Sequence, residues 1–209
     1  LGSSLGVDMH VVTCDAATAR NLMLCIERCH LTVEALVAAP FASGLAVLTD
    51  DEAELGTVCL DMGAGTTTLS VFAGGHFVHA DAVAVGSHHV TMDLARGLST
   101  RLSDAERIKV LNGACFAAKS DDRDIVNVPS ISEDDRDIPN SVSRAQIIRI
   151  IRPRIDEILE MVRDRLVAAG AAAEVGRRLV LTGGGAQLPG LADLAAQVFG
   201  RQVRVARPV

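Results

Sequence analysis

The chain has 209 residues, 49% of them apolar, a formal net charge of −6 and five cysteines. That is enough apolar material for one large core or two modest ones. The acidic balance argues against a nucleic-acid partner, for which a basic face is expected, no apolar run of about 18 residues is present to cross a membrane, and no signal-peptide pattern is read.

Residues 6–13 read as a strand. Asp15 is placed to cap a helix in which Ala19, Leu22, Ile26 and Cys29 recur at helical spacing. Residues 33–38 read as a second strand, and Pro40 opens a helix through about Leu48. This alternation predicts an α/β fold. Cys14, Cys25, Cys29, Cys59 and Cys115 form no C-x-x-C pair and fall within predicted strands and helices, which reads as reduced, buried thiols. A zinc site from Cys25, Cys29 and a distant histidine is the weaker reading.

Residues 58–72, V-C-L-D-M-G-A-G-T-T-T-L-S-V-F, carry the chemistry. An apolar strand ends in Asp61, Gly63 and Gly65 bracket Ala64, and the chain returns through Thr66, Thr67 and Thr68 into a second strand. Glycine lets the backbone take positive φ and approach a ligand closely. Successive N–H groups in such a turn form an anion nest, and an adjacent Asp can hold a metal ion or its waters. The alternative is an ordinary hairpin, since short glycine motifs are weakly specific.

A third strand is expected over 76–85 and a helix over 87–98. Gly86 between them reads equally as room for phosphates or as a plain strand-to-helix turn. His88 and His89 point to different faces, so a solvated pair is favoured over a metal site. Ser103-x-x-Glu106 fits a capping box, while Glu106 and Lys109 share a helix face at i, i+3. Residues 120–140 are polar and repeat Asp-Asp-Arg-Asp-Ile at 121–125 and 134–138, which suggests an exposed, solvated hairpin. A cation site on those aspartates is the lesser reading. Ser143 caps a helix to about Ile151, Pro153 breaks or kinks it, and 154–169 forms a long amphipathic helix with Ile155, Ile158, Leu159, Val162 and Leu166 inward. Residues 179–181 are a buried strand leading into Thr182-Gly183-Gly184-Gly185-Ala186, followed by a helix through Leu191, Leu194, Ala195 and Val198 and a short strand at 203–205.

The phosphate-type turn, the helix start at 103–109 and the glycine triplet, in this order, resemble the actin-like ATPase superfamily. Within it, D-D-E-A-E-L-G at 50–56, Gly74-Gly75 before His76, Val90-Thr91-x-Asp93-Leu94-Ala95, Ala105-Glu106-x-Ile108-Lys109 and L-T-G-G-G-A-Q-L-x-G-L at 181–191 resemble the FtsA family of bacterial cell-division proteins. The likeness runs over nearly the whole chain. It implies an actin-like (ribonuclease H-like) α/β fold, a mixed sheet flanked by helices with an inserted smaller lobe, in a fragment lacking most of the first domain. Residues 1–55 would end the first domain (a strand of its inserted lobe, then a core helix–strand–helix), 56–102 with 178–209 would form the second-domain core, and 103–177 the inserted lobe.

The resemblance also implies ATP and Mg²⁺. Asp61, Gly63, Ala64, Gly65, Thr66, Thr67 and Gly86 would lie at the phosphates, with Asp61 at the metal. Glu106 and Lys109 would touch the ribose and base, and Gly183, Gly184 and Gly185 the adenosine. The implied role is a polymerising scaffold that links FtsZ filaments to the inner membrane. Its partners would be the C-terminal peptide of FtsZ on the 103–177 lobe, other division proteins and further copies of itself. It would sit at the cytoplasmic face of the inner membrane at the division site, through a basic amphipathic C-terminal helix absent from this chain. A pilus-assembly adaptor and a sugar kinase are the alternatives on the same fold, the kinase lacking an evident acidic base. Two departures bear on catalysis: Thr68 stands where the superfamily often has Asp or His, and Ala39 where Glu or Gln often precedes the proline. Both positions orient the attacking water, so no catalytic residue is assigned, and at most a weak ATPase is expected. The start at Leu1, with no Asp-x-Gly-[Ser/Thr] hairpin before Asp61, reads as the C-terminal part of a longer protein.

Overall fold

Asp15 caps α1 (Ala16–Glu27) as expected, its carboxylate accepting the Thr18 N–H at 2.8 Å. None of α1 is buried, and Leu22 and Leu24 are exposed, so its apolar stripe is not a core face in this chain. The computed structural model describes residues 4–7, 9, 11–131, 140–171 and 175–208. Neither N-terminal strand forms among them: the described residues of 6–13, and 33–38, join no sheet. Strand patterning has no consequence without a neighbouring ladder to take up the backbone donors and acceptors. Cys14, Cys25 and Cys29 are exposed, against the expected burial, whereas Cys59 and Cys115 are buried. Burial, aided at Cys59 by the Asp61 charge, pushes both buried thiols up to about 12, so neither is a nucleophile near neutral pH.

Pro40 stands in the first turn of α2 (Ala39–Val47), where its missing N–H costs nothing. A further helix, α3 (Asp50–Leu55), arises from the stretch read only as a family marker. Thr49 and Glu52 make its capping box.

The sheet then begins with β1 (Thr57–Met62), β2 (Thr67–Ala73) and β3 (His76–Val83). Gly74 and Gly75, at φ 57° and 73°, supply the two left-handed residues of the β2–β3 turn. After α4 (Ser87–Gly97) and α5 (Leu102–Asn112), β4 (Ile125–Asn127) pairs with β5 (Ser141–Ser143), so a hairpin forms here but its second strand lies beyond the expected 120–140. The second pentapeptide, 134–138, lies outside the described residues. In the first, Asp121 is buried and not solvated. It accepts from Ala118 N–H at 2.7 Å and from Arg144 at 3.0 Å, which locks the hairpin to the next helix and commits this carboxylate to protein donors.

That helix, α6 (Arg144–Ala168), starts at the Ser143 cap and runs through Pro153 without a break. An interior proline costs about 3 kcal/mol. The stripe from Ile147 to Leu166, buried on both sides of Pro153, outweighs it at about 1.5–3 kcal/mol per large side chain. The chain closes with β6 (Arg178–Thr182), α7 (Leu191–Phe199) and β7 (Gln202–Val205).

Strand order is β3-β2-β1-β6-β7, antiparallel across β3, β2 and β1 and parallel across β1, β6 and β7. Alternate side chains sort to the two faces. Val58, Leu60, Leu69, Val71, Leu179 and Leu181 join α4, α6 and α7 in the main core, and Cys59 and Val180 meet Val47 of α2 on the other face. Because β1 and β6 are parallel with Asp61 opposite Thr182, both strands end at the same edge. Ligands of open α/β sheets bind beyond such carboxyl ends. No helix among the described residues is long and apolar enough to cross a membrane.

Candidate functional site

The turn after Asp61 closes through the Gly63 N–H to Thr66 O at 3.0 Å and leaves Ala64, Gly65 and Thr66 exposed. Neither Gly63 nor Gly65 has positive φ, so the expected left-handed glycine nest is not what shapes it. The turn is held from behind by α4: Ser87 N–H donates to Gly63 O at 2.9 Å and His88 N–H to Ala64 O at 2.8 Å. These are donors that a helix start leaves unpaired. A Cβ on Gly86 would lie 2.6 Å from both carbonyl oxygens, so glycine there serves the approach of one backbone to another. Thr67 is buried and gives its hydroxyl proton to Val85 O at 2.8 Å, which commits that side chain to the strand end. His89 is not merely solvated, since its Nδ1 accepts the Gly86 N–H at 3.1 Å; His88 is exposed.

Asp61 lines a hollow of about 410 Å³ with Ser43, Thr182, Gly183, Gly184 and Gln187. Ser43 Oγ, from α2, donates to Asp61 Oδ2 at 2.6 Å. Gly183 has φ 88°, and a Cβ there would stand 2.4 Å from Asp61 Oδ1, so conformation and space both demand glycine. Thr68 faces Asp61 across the antiparallel ladder, and its buried Oγ1 has no hydrogen-bond partner among the described residues. A hydroxyl in that condition suits a bound water. Ala39 sits exposed in the first turn of α2 with no polar side chain to offer.

No group of three or more His, Cys, Asp or Glu residues that could hold a metal exists among the described residues. A lone carboxylate does not suit a metal held by protein alone. It does suit Mg²⁺, which keeps its waters and is carried by one or two carboxylates and substrate phosphates.

A second hollow, of about 220 Å³, lies between α4, α5 and the glycine triplet. Val90, Ile155 and Leu188 give it apolar walls, and Glu106, Lys109 and Gly184 a polar side. The Ser103–Glu106 capping box does not form: α5 begins at Leu102, and the Glu106 carboxylate turns to α4 instead. Its Oε2 accepts from Thr91 Oγ1 at 2.5 Å and from Lys109 Nζ at 2.8 Å. Burial opposes ionisation of Glu106, but those two hydrogen bonds and the Lys109 charge outweigh it and hold the carboxyl below its ordinary value.

Gly184 and Gln187 line both hollows, so the two adjoin across the triplet. Arg207 donates to Gln187 Oε1 at 2.6 Å at this border. Gly185 is buried, and a Cβ there would meet the Met62 side chain at 2.5 Å; Gly184 has open space at its Cα. Sequence reasoning missed Ser43 and Thr91. Ser43 follows Ala39 by one helical turn, the available signal. Thr91 was visible only as part of a family marker.

A mixed sheet with a carboxylate at the end of β1, a glycine turn after β6 and an apolar hollow between that turn and α4 and α5 fits the actin-like ATPase fold. MreB5 of Spiroplasma citri bound to ADP superposes with a TM-score of 0.73 at 16% identity, over 93% of this chain and 61% of that one. A chain of the PilM–PilN type IV pilus biogenesis complex does so at 0.67 and 21%, over 91% and 47%. The family model for cell division protein FtsA matches residues 58–209. Cell division protein FtsA of Rhizobium meliloti (strain 1021) is 57% identical over 208 residues, covering all of this chain and 47% of the relative. The chain belongs to the FtsA family of cell division proteins, and it spans about half the length of the curated relatives it matches.

Proposed function

We propose that this chain forms one jaw of an ATP clamp in a cell-division scaffold. The observation that carries this is the shared wall: Gly184 and Gln187 face both hollows, so one ligand can lay a ring system in the apolar hollow and an anion beside Asp61. The base would lie against Val90 and Leu188, the ribose at Glu106, whose carboxylate Lys109 holds in place, and the phosphates over Ala64, Gly65 and Thr66. Asp61 would hold Mg²⁺ through its waters, held in turn by Ser43. The metal, when bound, supplies charge neutralisation at the phosphates. Gly183 and Gly185 line the two hollows, and Gly63, Thr67 and Gly86 support these surfaces from behind.

Phosphoryl transfer rests on positioning and electrostatics, so a loop that binds nucleotide need not hydrolyse it. With Ala39 and Thr68 at the water positions, ATP acts as a structural ligand that closes the clamp and favours filaments. In this reading 1–55 ends a first domain, 56–102 with 178–209 forms the core of a second, and 103–177 is an insertion whose α6 packs back on that core. The insertion docks the C-terminal peptide of FtsZ, and a helix outside this chain reaches the inner membrane at the division site, where other division proteins join. Family membership favours this over a pilus-assembly adaptor or a sugar kinase. Calorimetric titration of Mg·ATP into the full-length protein tests it. Asp61→Asn should remove the Mg²⁺-dependent part of binding, and Lys109→Ala should weaken binding by about 1–3 kcal/mol; unchanged affinity in both variants overturns the site.

A further inference from the structure

Resting on the nucleotide reading above, we propose that Thr91 is a positioning residue for ribose recognition, holding Glu106 so that one carboxylate oxygen stays free for the sugar hydroxyls. Thr91 is 1% exposed on α4, an unusual place for a hydroxyl unless it is fully used. It is: Oγ1 accepts from Lys109 at 2.9 Å and donates to Glu106 Oε2 at 2.5 Å, with Ser87 O, at 3.3 Å, the poorer competitor for its single proton.

The count of protons then assigns roles within the pair. An ammonium has three N–H donors. Those of Lys109 go to Ser87 O at 3.1 Å, Thr91 Oγ1 at 2.9 Å and Glu106 Oε2 at 2.8 Å, and its side chain is only 12% exposed. No donor is left for a ligand. Glu106 is the reverse case: its side chain is 49% exposed, Oε2 takes both bonds, and Oε1 has no hydrogen-bond partner among the described residues. The acceptor left for a ligand at this edge of the hollow is therefore Oε1, and ribose hydroxyls are donors that fit it. A glutamate on a helix surface samples several rotamers. Lys109 on the same helix and Thr91 on α4 fix one of them, and Thr91 Oγ1 is the α4 atom that meets both the carboxylate and the ammonium.

The test compares ATP with 2′-deoxy-ATP on the full-length protein by calorimetry. The intact protein should prefer ATP by about tenfold, the scale of one hydrogen bond to a charged group. Thr91→Val should bring ATP down to the affinity of the deoxy analogue, which itself stays put, and Thr91→Ser should restore the preference. A general loss of packing would lower both affinities together. Should Thr91→Val not fold, Thr91→Cys replaces it, a side chain of serine size with a weak donor, and the same collapse of preference is expected. A preference retained in Thr91→Val or Thr91→Cys while Glu106→Ala abolishes it overturns the role of Thr91 alone. If the intact protein shows no preference and Glu106→Ala binds ATP as tightly, the nucleotide reading of this hollow fails, and the role of Thr91 with it.

Discussion

Ser43 Oγ and Asp61 Oδ2 stand 2.6 Å apart across 18 residues of sequence, and this hydrogen bond ties α2 to the end of β1. It leaves Asp61 with one oxygen against Gly183 and the other fixed by a neutral donor. Ser43→Ala should weaken Mg²⁺-dependent ATP binding by about 1 kcal/mol, the net value of an ordinary hydrogen bond, and leave binding in the presence of a chelator unchanged. Calorimetry with and without Mg²⁺ reads the difference. Equal loss under both conditions would mean that Ser43 serves packing and not Asp61.

Gly183→Ala should be costly for two independent reasons. The Gly183 backbone, at φ 88° and ψ 168°, lies in a region open essentially to glycine, which costs an L-residue about 1–3 kcal/mol, and the new methyl would press on Asp61 Oδ1 and Met62 O. Urea unfolding should show destabilisation at or above that range, and ATP affinity should fall with it. Gly184→Ala, with open space at its Cα, is the control: stability should change by less than about 1 kcal/mol.

Glu52 is buried and paired with Arg204 of β7 at 2.6 and 2.5 Å. The Arg204 hydrogen bond, against the cost of burial, lowers its carboxyl from the ordinary 4.5 to about 2. The folded value lies below the unfolded one, so the pair contributes its full stability above about pH 4.5 and loses it as pH falls toward 2. Unfolding midpoints measured from pH 7 to pH 2 should decline across that window, and Glu52→Gln should flatten this part of the decline while lowering stability at pH 7. Parallel profiles for the two proteins would contradict the assignment.

Steady-state ATPase of the full-length protein should be far slower than about one turnover per second, below the ordinary enzyme range. A water-orienting group contributes about 10²–10⁴-fold. Thr68→Asp combined with Ala39→Glu should therefore raise the rate without tightening ATP binding. Brisk hydrolysis in the unmodified protein would end the reading of ATP as a structural ligand.

What could be read from the sequence followed from local signals that tertiary contacts reinforced. The Asp61 turn, the Asp15 and Ser143 caps and the α6 stripe all stand where spacing put them. The strand expected at 33–38 did not form because a local pattern cannot supply a neighbouring strand, and the described residues of 6–13 likewise join no sheet. Pro153 was read by its local cost alone, while the burial that outweighs it is distributed over six turns of helix. The capping box expected at Ser103 and Glu106 does not form because Glu106 has stronger partners, Thr91 on α4 and Lys109 one turn along its own helix. Ser43 and Thr91 act through contacts 18 and 15 residues away, which no local pattern announces.

The account stands on one nucleotide lying across Gly184, and the structure of the full-length protein with Mg²⁺ and a non-hydrolysable ATP analogue tests that directly. The expected result is a ribose within hydrogen-bond distance of Glu106 Oε1, phosphates over the rim from Ala64 to Thr66, and Mg²⁺ waters on Asp61. A nucleotide bound with no contact to Glu106, or with its phosphates away from the Gly63–Thr66 turn, would contradict it.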